Sequence, residues 1–307
     1  MTKPPPHAAI DLGSNSFRLL IATLRPNGAM QPLVKKLITV RLGQGLHTTG
    51  RLDQEAMARG LEALARFAAL LDAHHPQRLR ACATHALRTA ANRDEFLAPA
   101  ARLLGQPIEV IDGHTEAALA LAGVRQAVGG DAHLLVADVG GGSSELIGEG
   151  GVTSLAIGTV SLTERFLTPT PPPTPESLAA VRTAIAAAVS ESILPFLPPG
   201  TLLVGSGGTA TALAALDLGL ITYDESKVQG HRLPLARLRE LTGQLARLDA
   251  QGRNQLPGLD QGRGEILLAG ALIYEHLLTK LSAATLTVSD AGLLEGILWS
   301  TLAENPH

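Results

Sequence analysis

Aromatic residues, cysteine and long apolar runs are all scarce in this 307-residue sequence. Phe, Trp and Tyr together make up 3% of the chain, so aliphatic side chains must form most of any core. The single Cys82 excludes an internal disulfide, which is typical of a reducing compartment. No apolar run approaches the ~18 residues of a membrane-spanning helix, and residues 1–6 show no signal-peptide core. These absences predict a cytoplasmic protein without a membrane partner.

Charge is also sparse. Charged residues are 17% of the chain and the formal net charge is −3, whereas a general nucleic-acid binder needs a broad excess of Lys and Arg. We therefore expect no nucleic-acid partner. A polyanionic substrate stays compatible with this composition if positive potential is confined to a cleft. The length is sufficient for two domains, each with its own core.

Glycine, in contrast, is abundant, and three glycines follow a buried strand that ends on a carboxylate. Because glycine has no side chain, an anion can approach the backbone N–H groups of this turn. The two acids on either side of the turn suit a divalent cation. A glycine-rich hairpin without chemistry is the alternative interpretation. The candidate phosphate-binding residues are Gly140, Gly141, Gly142, Ser143 and Ser144, and the candidate metal ligands are Asp138 and Glu145.

The same pattern occurs a second time near the start of the chain. Asp11 matches Asp138 and Gly13 matches Gly140 at a constant spacing of 127 residues, from 11 to 138. A gapless match through strand, acid, turn and strand indicates two related domains that offer their turns to a shared central cleft. The candidate phosphate-binding residues of this first copy are Asp11, Gly13, Ser14, Asn15, Ser16 and Arg18.

These repeats predict an α/β protein of two similar domains. We place the first at residues 1–122 and the second at 123–291, and expect a final helix at about 292–307 to pack back on the first domain.

Three further positions are candidates for the site. Thr84 is expected to cap one helix that carries His85, Arg88, Asn92 and Arg93. Arg88 lies about one turn from that cap. Its side chain could reach an anion bound at the helix start, or it could simply be exposed. Glu116 opens a helix just before the second glycine turn, so it is either a general base or an ordinary first-turn glutamate. A third strand–turn–helix offers N–H groups to an anion at Gly207, Gly208 and Thr209.

Taken in order, these motifs resemble the exopolyphosphatase and guanosine pentaphosphate phosphohydrolase (Ppx/GppA) family of the actin/Hsp70/sugar-kinase superfamily. The resemblance runs through residues 11–16, 83–88, 113–117, 138–145, 205–209 and 289–296. It implies two ribonuclease-H-like (actin-like ATPase) domains with a central cleft, in a short form without the helical C-terminal domains of longer relatives.

The resemblance also implies roles. Glu116 matches the glutamate that activates the attacking water, Asp138 and Glu145 match the acids that hold Mg²⁺ or another divalent cation, and Arg88 matches a substrate-side arginine. Leu294 stands where relatives often carry Arg, and Thr115 replaces the first of two glutamates. The implied partners are inorganic polyphosphate, or guanosine penta- or tetraphosphate, and a homodimer.

The function expected from this sequence is an exopolyphosphatase that releases orthophosphate from chain ends. Three other functions are also compatible with the sequence. They are a pppGpp 5′-phosphohydrolase, a sensor that binds alarmone or nucleotide without turnover, and a sugar or acetate kinase of the same superfamily.

Overall fold

The computed structural model of the chain describes residues 4–24, 30–129, 133–148, 151–168, 170–190, 198, 200–260 and 262–303. These residues form two compact units. Unit 1 runs to Gly123 and takes up the chain again from Leu293, and unit 2 is Val124–Gly292. In the described segments, none of the helices combines the length and hydropathy needed to cross a membrane.

The described strands of unit 1 are β1 (His7–Leu12), β2 (Ser16–Leu24), β3 (Met30–Thr39), β4 (Arg78–Ala83) and β5 (Glu109–Val110). They form one mixed sheet in the order β3-β2-β1-β4-β5. The hairpin partners β1, β2 and β3 are antiparallel, and β4 and β5 run parallel to β1. Strand β1 is central, and its residues from Ala8 to Leu12 are all buried, as expected for a strand covered on both faces.

The described helices of unit 1 are α1 (Leu46–Thr49), α2 (Gln54–His74), α3 (His85–Thr89), α4 (Arg93–Leu104), α5 (Gly113–Val128, which continues past Gly123) and α13 (Leu293–Ala303). Helix α2 begins directly after Asp53, whose carboxylate accepts a hydrogen bond from the Ala56 N–H at 3.0 Å and so caps the helix. Its buried face includes Phe67 and packs into the core of the unit, where Phe17 contacts Phe96 with ring centroids 6.1 Å apart.

The described strands of unit 2 are β6 (Leu134–Val139), β7 (Ser144–Gly148), β8 (Gly151–Leu155), β9 (Leu202–Ser206), β10 (Arg232–Pro234) and β11 (Thr285–Ser289). Their order is β10-β11-β9-β6-β7-β8. Apart from the edge strand β10, this sheet repeats the order and the strand directions of unit 1. The repeated arrangement is that of ribonuclease-H-like domains, so the predicted α/β fold class is confirmed.

The described helices of unit 2 are α6 (Thr159–Phe166), α7 (Pro175–Ser190), α8 (Gly207–Asp217), α9 (Glu225–Val228), α10 (Leu235–Ala246), α11 (Ala250–Asn254) and α12 (Arg263–Lys280). Helix α12 is buried over most of its length and lies at the centre of the apolar core. Aliphatic residues form nearly all of that core, in keeping with the low aromatic content of the chain.

One predicted helix is wrong. The single helix expected from Thr84 through Arg93 is divided into α3 and α4. Asn92 lies at the break, where its side chain accepts from the Leu52 N–H at 2.7 Å and donates to the Leu52 carbonyl at 3.2 Å. Because this pairing satisfies a loop 40 residues earlier in the chain, local helical spacing could not reveal it.

The last described helix, α13, packs on the sheet of unit 1. Arg80 donates to the Ser300 hydroxyl at 2.6 Å, and Lys35 forms an ion pair with Glu295 at 3.1 Å. At Gly296 the helix crosses α5 so closely that a Cβ would lie 1.8 Å from the Leu119 carbonyl oxygen. Glycine at this position therefore permits α5, which carries Glu116 in its first turn, to lie against α13.

Candidate functional site

The turn of unit 1 between β1 and β2 is closed by its own backbone. The Gly13 N–H donates to the Ser16 carbonyl at 3.1 Å, and a Cβ at Gly13 would lie 2.9 Å from that oxygen. The carbonyl of Asn15 accepts from the N–H groups of Val40 and Arg41 at 2.9 and 2.8 Å. A neighbouring segment thus holds the turn by its carbonyl, and the glycine has no room for a side chain.

The turn of unit 2 between β6 and β7 repeats this geometry. The Gly140 N–H donates to the Ser143 carbonyl at 3.0 Å, and a Cβ at Gly140 would again lie 2.9 Å from the carbonyl oxygen. The first N–H groups of α6 bind the turn carbonyls, with Thr159 donating to Gly140 at 2.9 Å and Val160 to Gly141 at 2.8 Å. The sequence repeat is therefore also a repeat of backbone structure.

The two turns differ in the residue that faces their first acid across the hairpin. In unit 1, Asp11 pairs with Arg18 in the strand register, and the Arg18 Nη2 lies 2.6 Å from the Asp11 Oδ2. Among the residues that the structure describes, the other carboxylate oxygen, Oδ1 of Asp11, has no hydrogen-bond partner and is buried, as is Nδ2 of Asn15. Buried polar atoms of this kind are normally satisfied by a ligand or water, so both atoms are available to one.

In unit 2 the corresponding residues are both acids. Asp138 lies directly opposite Glu145 in the antiparallel register, and Glu145 is only 3% exposed. Its Oε1 accepts from the Ser154 hydroxyl at 3.2 Å. Like charges placed opposite one another in a sheet are destabilising, and a bound cation would offset that repulsion.

These two carboxylates fit a divalent cation of the magnesium kind. Hard oxygen ligands are what Mg²⁺ prefers, and protein Mg²⁺ sites commonly use one or two carboxylates, with substrate phosphate and water supplying the rest. Within the described segments no cluster of three or more His, Cys, Asp or Glu forms an all-protein metal site. The donor set is thus one that the phosphate of a substrate would complete.

The serines of the second turn are buried and differ in their contacts. Ser144 donates its hydroxyl to the Ile157 carbonyl at 2.8 Å, which ties β7 to the segment before α6. Ser143 is 5% exposed and supplies the carbonyl that closes the turn.

A third loop lies next to Asp138 at the carboxyl end of β9. Strand β9 ends at Ser206 and α8 begins at Gly207, whose φ of 81° is a conformation that favours glycine. A Cβ at Gly207 would lie 2.7 Å from Asp138 Oδ1. The Thr209 hydroxyl donates to the Val139 carbonyl at 3.2 Å, so this side chain links the loop to β6. The start of α8 and the acid at the end of β6 therefore form one constellation.

Two residues of this constellation were not predicted from the sequence. The buried Ser206 Oγ has no hydrogen-bond partner in the described part of the chain, and Ser206 pairs with Asp138 in the parallel register. Arg263 is 8% exposed and lies against Gly208, where a Cβ would be 2.3 Å from its Nη2. Ser206 could have been suspected from its place beside Gly207. Arg263 follows 55 residues after Gly208 in the sequence, from 208 to 263, and no local pattern connects them.

Glu116 and Arg88 contact one another in unit 1. The Arg88 Nη1 donates to Glu116 Oε2 at 2.9 Å and to the Ile111 carbonyl at 2.8 Å. Asp112 accepts from the Thr115 N–H at 2.7 Å and fixes the first turn of α5. The Glu116 side chain is 13% exposed and that of Arg88 24%. Arg88 thus orients a carboxylate that solvent can still reach.

The residues flanking this pair have structural contacts. Thr84 makes no side-chain cap of α3, contrary to expectation, and its N–H donates to the Leu12 carbonyl at 3.3 Å. Burial and the positive charge of Arg88 lower the pKa of His85. In the last motif of the family resemblance, residues 289–296, Leu294 is buried and the Ser289 hydroxyl donates to the Ala291 carbonyl at 2.8 Å.

Both units therefore have ribonuclease-H-like topology and a glycine turn after the first strand, and unit 2 adds a pair of facing acids. This combination is typical of the class of actin-like α/β proteins.

The comparison with known proteins identifies the family. The model of the Ppx/GppA phosphatase family matches residues 20–305. Exopolyphosphatase 2 of Mycobacterium tuberculosis is 38% identical over 315 residues, covering 95% of this chain and 97% of the relative. The guanosine-5′-triphosphate,3′-diphosphate pyrophosphatase of Vibrio campbellii is 34% identical over 98% of this chain, which spans 60% of that longer protein. The crystal structure of the Aquifex aeolicus member of the Ppx/GppA family aligns with a TM-score of 0.81 at 31% identity, covering 99% of each chain. The chain belongs to the Ppx/GppA phosphatase family.

Proposed function

We propose that this protein is an exopolyphosphatase that hydrolyses the terminal phosphoanhydride bond of inorganic polyphosphate and releases orthophosphate. The observation that carries the proposal is the doubled turn, one copy with the Asp11–Arg18 ion pair and the other with the facing acids Asp138 and Glu145. The relative exopolyphosphatase 2 supports it, because the alignment spans nearly the whole length of both chains.

In the proposed mechanism Glu116 is the general base. Its carboxylate, oriented by Arg88, accepts a proton from water while the water oxygen attacks the terminal phosphorus and the bond to the bridging oxygen breaks. The shortened chain leaves with the bridging oxygen. The Arg88–Glu116 contact holds the carboxylate in one rotamer and so reduces the entropic cost of orienting the base.

The terminal phosphates would be bound by the backbone and hydroxyl groups of the turns. The candidate donors are the turn residues 13–16 and 140–144 and the start of α8 at residues 207–209, with Arg18 beside the first turn. We propose that Asp138 and Glu145 hold Mg²⁺, which supplies neutralisation of the phosphate charge when it is bound. A cytoplasmic location and a homodimer stay predictions.

The test compares two substrates at equal concentration of terminal phosphate. Purified protein is incubated with long-chain polyphosphate or with pppGpp, each with Mg²⁺ and with excess chelator, and released orthophosphate is measured. We expect magnesium-dependent release that is faster from polyphosphate. Faster release from pppGpp would instead assign the 5′-phosphohydrolase activity that the name of the Vibrio relative suggests, and no release from either substrate would refute the proposal.

A further inference from the structure

Helix α12 contacts the third loop and β6 at three positions. Arg263 lies against Gly208, Gly270 lies against Thr209, and Tyr274 reaches the end of β6. The three α12 positions are separated by seven and four residues, which places them on one face of the helix. One side of a buried helix thus lies along the constellation that contains Asp138.

The contact at Gly270 shows how close this approach is. A Cβ at Gly270 would lie 2.3 Å from the Thr209 Cγ2 and 3.0 Å from the Thr159 Cγ2. Thr209 belongs to the start of α8, and Thr159 to the start of α6, whose N–H binds the Gly140 carbonyl. Because there is no side chain at Gly270, α12 packs directly on the starts of both helices.

Tyr274 makes the contact nearest to the acid. Its hydroxyl lies 3.0 Å from the Ala137 carbonyl oxygen and 3.1 Å from the Ser206 carbonyl oxygen. These residues stand at the carboxyl ends of the adjacent parallel strands β6 and β9. The next residues along the chain are Asp138, still in β6, and Gly207, the first residue of α8. The single hydroxyl proton is therefore shared between two strand ends that lead directly into the site.

The environment keeps this hydroxyl a donor. Tyr274 is fully buried, and burial, with the negative charge of Asp138 adding to it, raises the pKa of its hydroxyl above the usual value. Removing the hydroxyl would leave two buried carbonyl groups without this donor, which is more costly than losing an exposed hydrogen bond. The strand ends would then relax, and the Asp138 carboxylate would move with β6.

We propose that Tyr274 is a positioning residue for the carboxylate of Asp138, because its hydroxyl sets the separation between the ends of β6 and β9 at which Asp138 can hold a divalent cation. The inference rests on the proposed role of Asp138 as a cation ligand. It is independent of which phosphoanhydride the protein hydrolyses.

The experiment measures binding of Mn²⁺ alone, as a paramagnetic substitute for Mg²⁺, by the loss of the free-ion EPR signal during titration of the metal-free protein. Tyr274→Phe retains the ring and removes only the hydroxyl. We expect its dissociation constant for Mn²⁺ to rise by about tenfold, the lower end of the effect expected for a residue that supports a metal ligand. Asp138→Asn should abolish the binding.

The matched control is Ile273→Val, one residue earlier in α12 and equally buried. It removes a methylene from the same core and lowers Tm but keeps the Tyr274 hydroxyl, so its Mn²⁺ affinity should equal that of the wild type. Equal Mn²⁺ affinity of Tyr274→Phe and the wild type, an equal loss in Ile273→Val, or no Mn²⁺ binding by the wild type would overturn the inference. A tenfold loss confined to Tyr274→Phe supports it even if polyphosphate is not hydrolysed, so its outcome is separate from that of the proposed function.

Discussion

The guanidinium of Arg88 donates a hydrogen bond to the carboxylate of Glu116 across 2.9 Å. The two residues lie 28 positions apart in the sequence and come together because α3 and α5 both begin at the carboxyl ends of the parallel strands β4 and β5. The pair gives the proposed base a fixed orientation.

The first prediction concerns Glu116→Gln. Glutamine keeps the size of the side chain and can still accept from Arg88, but it cannot take a proton from water. We expect kcat for phosphate release from polyphosphate to fall by about 10²–10⁴-fold with little change in KM. The measurement is steady-state phosphate release by the two proteins at saturating Mg²⁺.

A suitable control is Glu95→Gln, which breaks the exposed Arg51–Glu95 ion pair of the same unit. This variant should retain normal kcat, since exposed pairs contribute little. Near-normal turnover by Glu116→Gln would remove Glu116 from the mechanism.

The second prediction concerns Glu145→Gln and separates stability from function. Removing one of two facing acids relieves repulsion in the metal-free protein, so the variant should be more stable than the wild type by ~0.2–1 kcal/mol in the presence of chelator. Added Mg²⁺ with phosphate should raise Tm of the wild type but not of the variant. Thermal unfolding with chelator and with Mg²⁺ measures both effects.

Glu164→Gln is the control, since it neutralises an exposed glutamate of the same unit. It should leave the response of Tm to Mg²⁺ unchanged. If Glu145→Gln responds to Mg²⁺ as the wild type does, Glu145 is not a ligand.

The third prediction is that Gly207→Ala inactivates the protein. Alanine at φ 81° is strained by roughly 1–2 kcal/mol, and its Cβ would lie 2.7 Å from Asp138 Oδ1. The carboxylate must therefore move, and cation-dependent phosphate release should be lost while the fold is retained. Circular dichroism and a phosphate-release assay on the same sample test this.

Gly243→Ala is the control variant, for which we expect unchanged activity. Gly243 lies within α10, and a Cβ at this position would have open space for 4 Å around it. Alanine should therefore stabilise the helix by ~0.5–1 kcal/mol and leave turnover unchanged. Full activity of Gly207→Ala would show that the position of the Asp138 carboxylate is not critical.

The fourth prediction concerns acid stability. Burial, followed by the charge of Arg88, lowers the pKa of His85 from 6.5 in the folded protein. Below pH 6.5 the unfolded chain therefore binds more protons than the folded one, so the free energy of unfolding falls as the pH decreases toward the folded pKa. His85→Gln should lose less stability than the wild type between pH 7 and pH 5.

Urea unfolding at both pH values tests this difference. His7 and His276 also have lowered pKa values, so part of the acid sensitivity should persist in the variant. Equal losses in the two proteins would show that His85 does not contribute.

Some features follow from local sequence because their causes are local. The cap of α2 joins Asp53 to Ala56, which are only three residues apart in the sequence. The geometry of each turn depends on its glycine and on the register of the two flanking strands. Because the same residue pattern recurs 127 residues later, from Asp11 to Asp138, the sequence predicted two hairpins of the same geometry. The α/β class follows from that repeat.

Other features depend on contacts that no local pattern encodes. Asn92 ends a predicted helix because it pairs with Leu52. No sequence pattern predicts that the Thr209 hydroxyl donates a hydrogen bond to the Val139 carbonyl, or that Arg263 lies against Gly208.

The sequence by itself determined the repeated hairpins, the acids that flank the second turn and the membership of a phosphatase family, because each depends on residue types at fixed short spacing. Only the tertiary structure decided which groups meet: Arg88 with Glu116, Tyr274 with the ends of β6 and β9, and Ser206 beside Asp138. The physical reason is that parallel strands gather the ends of distant segments at one edge of a sheet. The packing of a buried helix then sets the distances between these strand ends. Neither effect can be predicted from the local sequence.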